Sequence, residues 1–185
     1  MKYRLIASAA LLLGVASFVS CIDESQSNEV VDLQNKEAIE AYLEENTMPT
    51  AKEFKDVENS VYMFWEVSVD PKVNDQLLRL DTVKVDYTGS LLTDKVFDTS
   101  IEQVAKDNEI FNSQRKYIPL KFPLGGGVIP GFEFAVSLMR VGEKATVIFP
   151  SRLGYGNASQ NAIPPNSPLI FELELLEVKN GPNHN

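Results

Sequence analysis

Residues 82–88 read Thr-Val-Lys-Val-Asp-Tyr-Thr, and their strict alternation of apolar and polar side chains decides the fold class. Val83, Val85 and Tyr87 share one face of the extended chain, and the polar residues share the other face. Successive side chains of a β-strand point to opposite sides of the sheet. The stretch therefore predicts a strand of an antiparallel sheet that has one face on a core and the other in water.

Three more strands and one helix complete the pattern. Residues 61–69, 144–149 and 169–178 are rich in apolar and β-branched side chains and predict strands. Residues 131–140 carry apolar side chains at three- and four-residue steps and predict one short helix. Gly142 follows, where a helix-terminating glycine is expected. This combination predicts an α+β domain in which the helix packs on one face of the sheet.

The composition argues against several kinds of function. The 185 residues carry a formal net charge of −9, and nucleic-acid binding needs clustered Lys and Arg, so we expect no nucleic-acid partner. A single Cys cannot form an intramolecular disulfide. With one His and one Cys, we expect neither a His/Cys zinc site nor a His-dependent triad, and we predict no metal and no cofactor. The one histidine, His184, is expected to be a bystander in a flexible tail over residues 181–185.

The start of the chain has the pattern of a secretory signal. A short basic stretch precedes residues 5–19, which are apolar or small and too few for a membrane-spanning helix of about 20 residues. Phe18-Val19-Ser20-Cys21 resembles the lipobox of bacterial lipoproteins, in which the Cys becomes the lipidated first residue of the mature chain. The resemblance implies a lipoprotein signal peptide over residues 1–20 and a membrane anchor on Cys21. The protein would then lie in the bacterial cell envelope, facing the periplasm or the cell surface; the alternative is an ordinary signal peptide with an incidental Cys.

Residues 21–60 are expected to form a lipidated linker with a short helix. Residues 25–28 are polar and predict a flexible connection. Residues 36–45 carry apolar side chains at helical spacing, and Asn35 stands where a helix cap is expected. Such a helix could lie against the folded domain, or it could serve as a spacer or a dimer contact. The sequence does not decide between these alternatives.

Several short blocks of the domain are weakly specific one by one and highly specific in combination. They are Val85-Asp86-Tyr87-Thr88-Gly89 with Val96-Phe97-Asp98-Thr99-Ser100, Val128-Ile129-Pro130-Gly131-Phe132, Val141-Gly142-Glu143-Lys144-Ala145, Leu153-Gly154-Tyr155-Gly156 and residues 163–171. In this order the blocks resemble the FKBP-type peptidyl-prolyl cis/trans isomerases. The resemblance covers roughly residues 61–179 and implies an FKBP-type domain over residues 61–180, in which an antiparallel twisted sheet wraps around one short α-helix.

The resemblance also implies roles for individual residues. Phe132 matches the floor of a shallow apolar pocket that receives a proline ring. Asp98 matches an acid beside the bound amide, Tyr155 a phenol that can donate to a substrate carbonyl, and Ile163 a second donor through its backbone N–H. The implied substrates are proline-containing segments of exported proteins, and an FK506-like macrolide is an implied ligand. The other implied pocket residues are Tyr87, Phe97, Leu120, Val128, Ile129 and Phe171.

Taken without the resemblance, the same residues allow plainer interpretations. The aromatic residues could simply form a core, and Asp98 could be a turn or capping residue. Residues 125–127 are three glycines and predict a loop with unusual backbone angles. Four features depart from the family pattern. Leu120 stands where an aromatic residue is frequent, Phe132 stands where Trp is frequent, and the loop from Leu124 to Val128 is one residue shorter. Residues 101–118 form an insertion that is expected to border the pocket and to contain a helical turn.

The chemistry of such a pocket needs no reactive group. Rotation about an X–Pro bond crosses a barrier of about 18–20 kcal/mol that amide resonance sets, and no covalent bond breaks. A site without a nucleophile, metal or cofactor can therefore catalyse it by binding the twisted amide better than the planar one. Three hypotheses stay open from the sequence: a prolyl isomerase, a proline-segment binding module or chaperone with little catalysis, and a structural envelope lipoprotein.

Overall fold

The computed structural model describes residues 28–49, 51–73, 75–160 and 162–184. The predicted signal peptide and Cys21 lie outside the described residues. In the described part the chain forms an antiparallel sheet with a few helices, so the predicted α+β class is confirmed. The elements are α1 (Asn28–Glu45), β1 (Lys52–Asp56), β2 (Val61–Val67), β3 (Thr82–Leu91), β4 (Val96–Thr99), α2 (Glu102–Asp107), β5 (Leu120–Pro123), α3 (Pro130–Ser137), β6 (Lys144–Phe149), a 3₁₀ helix (Ser151–Leu153) and β7 (Leu169–Lys179).

The sheet has seven strands in the order β1-β2-β6-β7-β3-β4, and β5 pairs with β3 beside this path. Its two longest strands, β3 and β7, pair antiparallel over almost their whole length, from Thr82 opposite Lys179 to Leu91 opposite Leu169. The four predicted strands are present. The sequence did not predict β1, β4 and β5, which are only four or five residues long, too short for an alternating pattern to stand out.

The alternation of β3 places its apolar residues on the inner face of the sheet. Val83 and Val85 are fully buried there, together with Leu175 of β7 and with Phe132 and Val136 of α3. The helix α3 thus fills the concave side of the sheet, as predicted. Burying a side chain of this size contributes about 1.5–3 kcal/mol relative to leaving it in water, so this interface supplies much of the stability of the domain.

The helix α3 ends earlier than predicted, at Ser137 instead of Arg140. The N–H groups of Leu138 and Met139 donate to carbonyls three residues back, which tightens the last turn and stops the helix. Gly142, with a φ of +89°, therefore belongs to the turn that leads into β6 and does not cap the helix.

The helix α1 lies on the outer face of the sheet. Ile39 is fully buried against four side chains, Tyr62 and Phe64 of β2, Ile148 of β6 and Ile170 of β7. Of the alternatives left by the sequence, the structure shows the helix against the domain. Among the described residues, no helix is both long enough and apolar enough to cross a membrane.

Two predictions about the segment before residue 61 are corrected. The helix begins at Asn28, so Asn35 lies inside it and is a buried residue instead of a cap. The strand β1 pairs with β2 along five residues, from Lys52 opposite Trp65 to Asp56 opposite Val61. The folded unit therefore includes residues that were predicted to be linker, because their apolar side chains find partners on the sheet.

The end of the chain also differs from the prediction of a flexible tail. The Nε2 atom of His184 lies 2.7 Å from Oδ2 of Asp81, which is fully buried. The N–H of Gly181 donates to Oδ1 of the same carboxylate, and the side-chain amide of Asn183 donates to the carbonyl of Arg79. A buried carboxylate needs such partners, so Asp81 holds the segment that contains His184 in place.

A second buried carboxylate, Glu143, ties the turn before β6 to the end of β2. It accepts hydrogen bonds from Nε1 of Trp65 at 2.9 Å, from the N–H of Val69 at 3.1 Å and from the N–H of Arg140 at 2.9 Å. Glu143 has no exposed surface, so water could not take over as the acceptor for these donors if the carboxylate were removed. The contacts join two chain segments that are distant in sequence.

We expect the substitution Glu143→Ala to lower the free energy of unfolding by about 3–5 kcal/mol, because it leaves buried donors without an acceptor. Urea denaturation followed by Trp65 fluorescence measures this loss. Glu172→Ala, which changes an exposed glutamate of β7, should alter stability by less than about 0.5 kcal/mol. Equal effects of the two substitutions would contradict the structural role of Glu143.

Candidate active site

An apolar hollow of about 550 Å³ opens on the concave side of the sheet, between the start of α3 and the strands β3, β4 and β5. Another hollow, of about 400 Å³, lies on the outer face of the sheet and is lined by polar residues that include Glu66, Asp86 and Glu172. The first hollow unites almost all the residues that the sequence predicted for the site. It is lined by Tyr87, Phe97, Asp98, Leu120, Gly127, Val128, Ile129, Pro130, Phe132, Tyr155 and Phe171.

Phe132 forms the bottom of the hollow. It is buried in the first turn of α3, and its ring meets the ring of Phe171 at right angles with centroids 5.2 Å apart. Tyr87 and Phe122 approach the same ring edge-on at 5.7 and 5.8 Å. Edge-to-face contacts of this kind favour one ring orientation over others, so the floor of the hollow is held rigidly.

The wall beside Phe97 depends on a glycine in β3. The rings of Phe97 and Phe171 meet at 81° with centroids 5.6 Å apart, and both lie over Gly89. A Cβ atom at position 89 would lie 2.6 Å from the ring of Phe97 and 2.8 Å from the ring of Phe171. Any side chain there would push the rings into the hollow, which gives a physical reason for the glycine that follows Tyr87-Thr88.

Leu120, Val128 and Ile129 supply the aliphatic side of the hollow. Leu120 lies at the start of β5 opposite Val85 of β3, and Ile129 is the residue that precedes α3 in an extended conformation. The glycine loop between Leu120 and Val128 has positive φ angles at residues 125–127, from +109° to +147°, as the sequence predicted.

Asp98 sits at the rim in a network of hydrogen bonds. The hydroxyl of Tyr87 donates to Oδ2 at 2.7 Å, and the N–H of Thr99 donates to Oδ1 at 2.9 Å. The guanidinium of Arg115 forms an ion pair with Oδ1 and donates to the hydroxyl oxygen of Tyr87 at 3.1 Å. The carboxylate is therefore paired and held in one orientation.

This network changes the titration of two phenols. Burial raises the pKa of Tyr87 to about 12, with a further rise from its hydrogen bond to Asp98 and an opposing effect of Arg115. Burial, followed by the charge of Asp98, also raises the pKa of Tyr155. Both phenols therefore keep their protons at neutral pH and can act as hydrogen-bond donors.

Arg115 is the site residue that the sequence reading missed. It belongs to the insertion over residues 101–118, which begins with α2 and buries Ala105. Its guanidinium lies 5.2 Å from the ring centroid of Tyr117, which stacks on Phe111 at 5.6 Å. Through Arg115 the insertion reaches Asp98 at the rim, but none of its residues lines the hollow itself. The available signal was a cation 17 residues after Asp98 in an acidic chain. Local sequence gave no indication that the two side chains are in contact.

Ile163 does not line the main hollow. It borders a smaller one of about 220 Å³ on the other side of Tyr155, together with Arg115 and Gln160. Its N–H donates to the carbonyl of Gln160 at 2.7 Å. The loop thus uses this N–H to close its own turn, and its role as a donor to the substrate stays a prediction.

Among the described residues, no group of three or more His, Cys, Asp and Glu side chains is arranged to hold a metal ion. The site residues are aromatic rings, aliphatic groups, two phenols and one paired carboxylate. Such a set can bind an apolar ring and donate hydrogen bonds to an amide carbonyl. It offers no activated nucleophile.

Comparison with known proteins agrees with this geometry. The family model for FKBP-type peptidyl-prolyl cis-trans isomerases matches residues 74–176, more than half of the chain. A short-type peptidyl-prolyl cis-trans isomerase of Methanocaldococcus jannaschii is 49% identical over 84 residues, which make up 45% of this chain and 53% of that relative. The isomerase FkpA of Escherichia coli is 40% identical over 102 residues, 55% of this chain and 33% of that relative.

Two solved structures have a similar fold. The crystal structure of FkpA from Escherichia coli superposes with a TM-score of 0.56 at 30% identity and covers 81% of this chain and 60% of that chain. A peptidyl-prolyl cis-trans isomerase from Pseudomonas syringae superposes with a TM-score of 0.54 at 27% identity and covers 82% of this chain and 96% of that chain. The chain spans about half the length of the first curated relatives or less. Its matched residues, its sheet and its hollow identify it as a member of the FKBP-type peptidyl-prolyl cis-trans isomerase family.

Proposed function

We propose that this protein accelerates the cis/trans rotation of X–Pro bonds in extended segments of exported proteins. The observation that carries the proposal is the hollow of about 550 Å³ with Phe132 at its bottom and Asp98 and Tyr155 at its rim. A hollow of this size accepts a prolyl ring together with the residue before it. Relatives that are named isomerases and are 40–49% identical over the matched segment support the proposal.

The catalysis follows from a difference in binding. A planar X–Pro amide has a large dipole, and rotation out of the plane removes the resonance that creates this dipole. An apolar hollow disfavours the planar amide more than the twisted one, so it stabilises the transition state relative to the bound substrate. Every 1.36 kcal/mol gained in this way raises the rate about tenfold.

The polar residues at the rim of the hollow orient the substrate. We expect the Tyr155 phenol, which lines the hollow, to donate to the carbonyl of the residue before proline, because a donor that is held in position needs no reorientation during the reaction. Asp98 forms an ion pair with Arg115, so an incoming peptide meets a carboxylate whose charge the guanidinium compensates. This pairing removes the repulsion that a free charge would exert on the carbonyl dipoles of the substrate.

We expect Tyr155→Phe to reduce kcat/KM for an X–Pro peptide about tenfold, because it removes one hydrogen bond to the twisted amide and little else. A directly detected cis/trans assay on peptides with different residues before proline measures the effect. Tyr62→Phe is the matched control, since it removes the hydroxyl of a tyrosine that packs on the outer face of the sheet.

The binding-module hypothesis gives a different result. If the wild type and Tyr155→Phe both bind proline-containing peptides without accelerating their isomerisation, the result would contradict catalysis and support a chaperone-like function.

An FK506-like macrolide is proposed to occupy the same hollow, and a relative in Yarrowia lipolytica is named FK506-binding protein 2. Competition between the macrolide and the peptide tests whether both use the hollow.

The titration of Tyr87 tests the rim network. Its pKa is about 12 in the folded protein against an ordinary value of 10.0, so the folded state holds this proton more tightly. The resulting stabilisation is complete below pH 10 and is lost as the pH rises through 12. We expect Asp98→Asn to lower the pKa of Tyr87 and Arg115→Ala to raise it, as measured by NMR titration of ring-labelled tyrosine. Shifts in the same direction would contradict the arrangement.

We also propose that the protein is anchored in the bacterial cell envelope through lipid on Cys21, facing the periplasm or the cell surface. The support is the lipobox-like Phe18-Val19-Ser20-Cys21 at the end of an apolar segment. Each buried CH₂ group of an acyl chain contributes about 0.8 kcal/mol, so several chains on one Cys hold a protein stably at a bilayer.

Replacing Cys21 with Ser should move the protein from the membrane fraction to the soluble fraction and abolish incorporation of labelled palmitate. Ser20→Ala, which keeps a small residue before the Cys, should leave both unchanged. Membrane association that persists in Cys21→Ser would contradict the lipid anchor.

A further inference from the structure

The helix α1 precedes the segment that the family model matches. It is attached to the outer face of the sheet by the fully buried Ile39. Its first half runs past the segment between β6 and β7, where the 3₁₀ helix over Ser151–Leu153 leads into Tyr155. The helix therefore lies against the back of the chain segment whose other side borders the hollow.

Asn35 makes the decisive contact between these two parts. Although it is polar and in mid-helix, only 4% of it is exposed. Its Oδ1 accepts the N–H of Ser151 at 2.7 Å, and its Nδ2 donates to the carbonyl of Asn166 at 3.0 Å. One side chain thus bonds to the beginning of the Tyr155 segment and to the later loop that returns the chain to β7.

Those two segments are also bonded to each other. The N–H of Gly156 donates to the carbonyl of Ser151 at 2.8 Å, and the N–H of Asn166 donates to the carbonyl of Gly156 at 2.7 Å. Together with Asn35 these bonds enclose Tyr155 on its backbone side. The position of its phenol at the rim is therefore coupled to the contacts of Asn35.

A second contact reinforces the first on the surface. Nε of Arg152 lies 3.4 Å from Oδ1 of Asp32, one turn before Asn35. The same guanidinium donates to the carbonyl of Asn59 at 2.8 Å. The exposed ion pair alone contributes little energy, but it aligns the 3₁₀ helix with α1.

We propose that Asn35 is a positioning residue for Tyr155, so that the N-terminal helix is a working part of the site. The role in turnover rests on the proposed isomerase function, whereas the positioning itself can be tested without it. The side-chain amide of Asn35 is buried, so water cannot easily take over its hydrogen bonds to Ser151 and Asn166. Removing the amide therefore frees the segment that carries Tyr155 to move. Displacement of a catalytic group by about 1 Å can reduce a rate 100-fold, so a loosened segment has a measurable effect.

The first experiment measures position and needs no substrate. In the purified full chain, Asn35→Ala should accelerate amide hydrogen exchange at Ser151 at least about tenfold and shift the NMR resonances of the Tyr155 ring. Ile39→Val is the matched control, because it weakens the same helix through packing alone. We expect it to leave the Ser151 amide as protected, relative to the rest of α1, as in the wild type.

The second experiment measures turnover. Asn35→Ala should lower kcat/KM about tenfold, mainly through kcat, and should have no further effect in a Tyr155→Phe background, because both substitutions remove the same aligned donor. Asn35→Asp, which keeps the acceptor for the Ser151 N–H but loses the donor to the Asn166 carbonyl, should show a loss of activity and of Ser151 protection that is smaller than in Asn35→Ala, and it serves if the alanine variant does not fold.

The outcomes separate the two proposals. Unchanged exchange at Ser151 and unchanged Tyr155 resonances in Asn35→Ala would overturn the positioning role, as would additive losses in the double variant. A wild-type protein without turnover whose Tyr155 ring still responds to Asn35→Ala would overturn the isomerase function and support the positioning.

Discussion

The contact of Phe132 with Phe171 is the interaction on which the rest of the structure depends. It joins the first turn of α3 to the central strand β7, so it contributes at once to the core and to the floor of the hollow. Because the two rings meet edge to face, the helix can neither rotate nor slide without losing the contact. The strand β3 then carries Tyr87 to one side of Phe132, and Gly89 leaves room for Phe97 on the other side of Phe171. A rigid core and an open apolar hollow are therefore two sides of one layer of aromatic rings.

The rim adds polarity to this layer without adding a reactive group. Asp98 is held by Tyr87, by the N–H of Thr99 and by Arg115, which arrives from an insertion. Two phenols keep their protons because burial raises their pKa values. The result is a hollow that can accept an apolar ring and whose rim presents oriented dipoles. Rotation about an X–Pro amide bond breaks no covalent bond, since its barrier comes from resonance, so such a site is sufficient for the proposed function.

The outer face of the sheet also packs against a helix that contacts the segment carrying a site residue. The helix α1 buries Ile39 there, and Asn35 extends the contact to the segment that carries Tyr155. The sheet thus separates two layers of different character, a layer of aromatic rings with the hollow and a smaller layer that carries the N-terminal helix. Buried polar residues such as Asn35, Asp81 and Glu143 fix the positions of the loops against these layers. Each of them has hydrogen-bond partners on a distant segment, and those bonds form only when that segment is in its native position.

The amino-acid sequence by itself determined the fold class, the four longer strands, the central helix, the family resemblance and nearly all the residues of the hollow. These follow from local alternation and from short blocks whose residues lie close together in the chain. Only the tertiary structure decided that Arg115 pairs with Asp98, that the Ile163 N–H is used within its own loop, that Asn35 is buried and that His184 contacts Asp81. The physical reason is that alternation reports which side chains face a core, whereas a hydrogen bond between distant segments depends on how loops close in three dimensions, and local sequence carries no record of that closure.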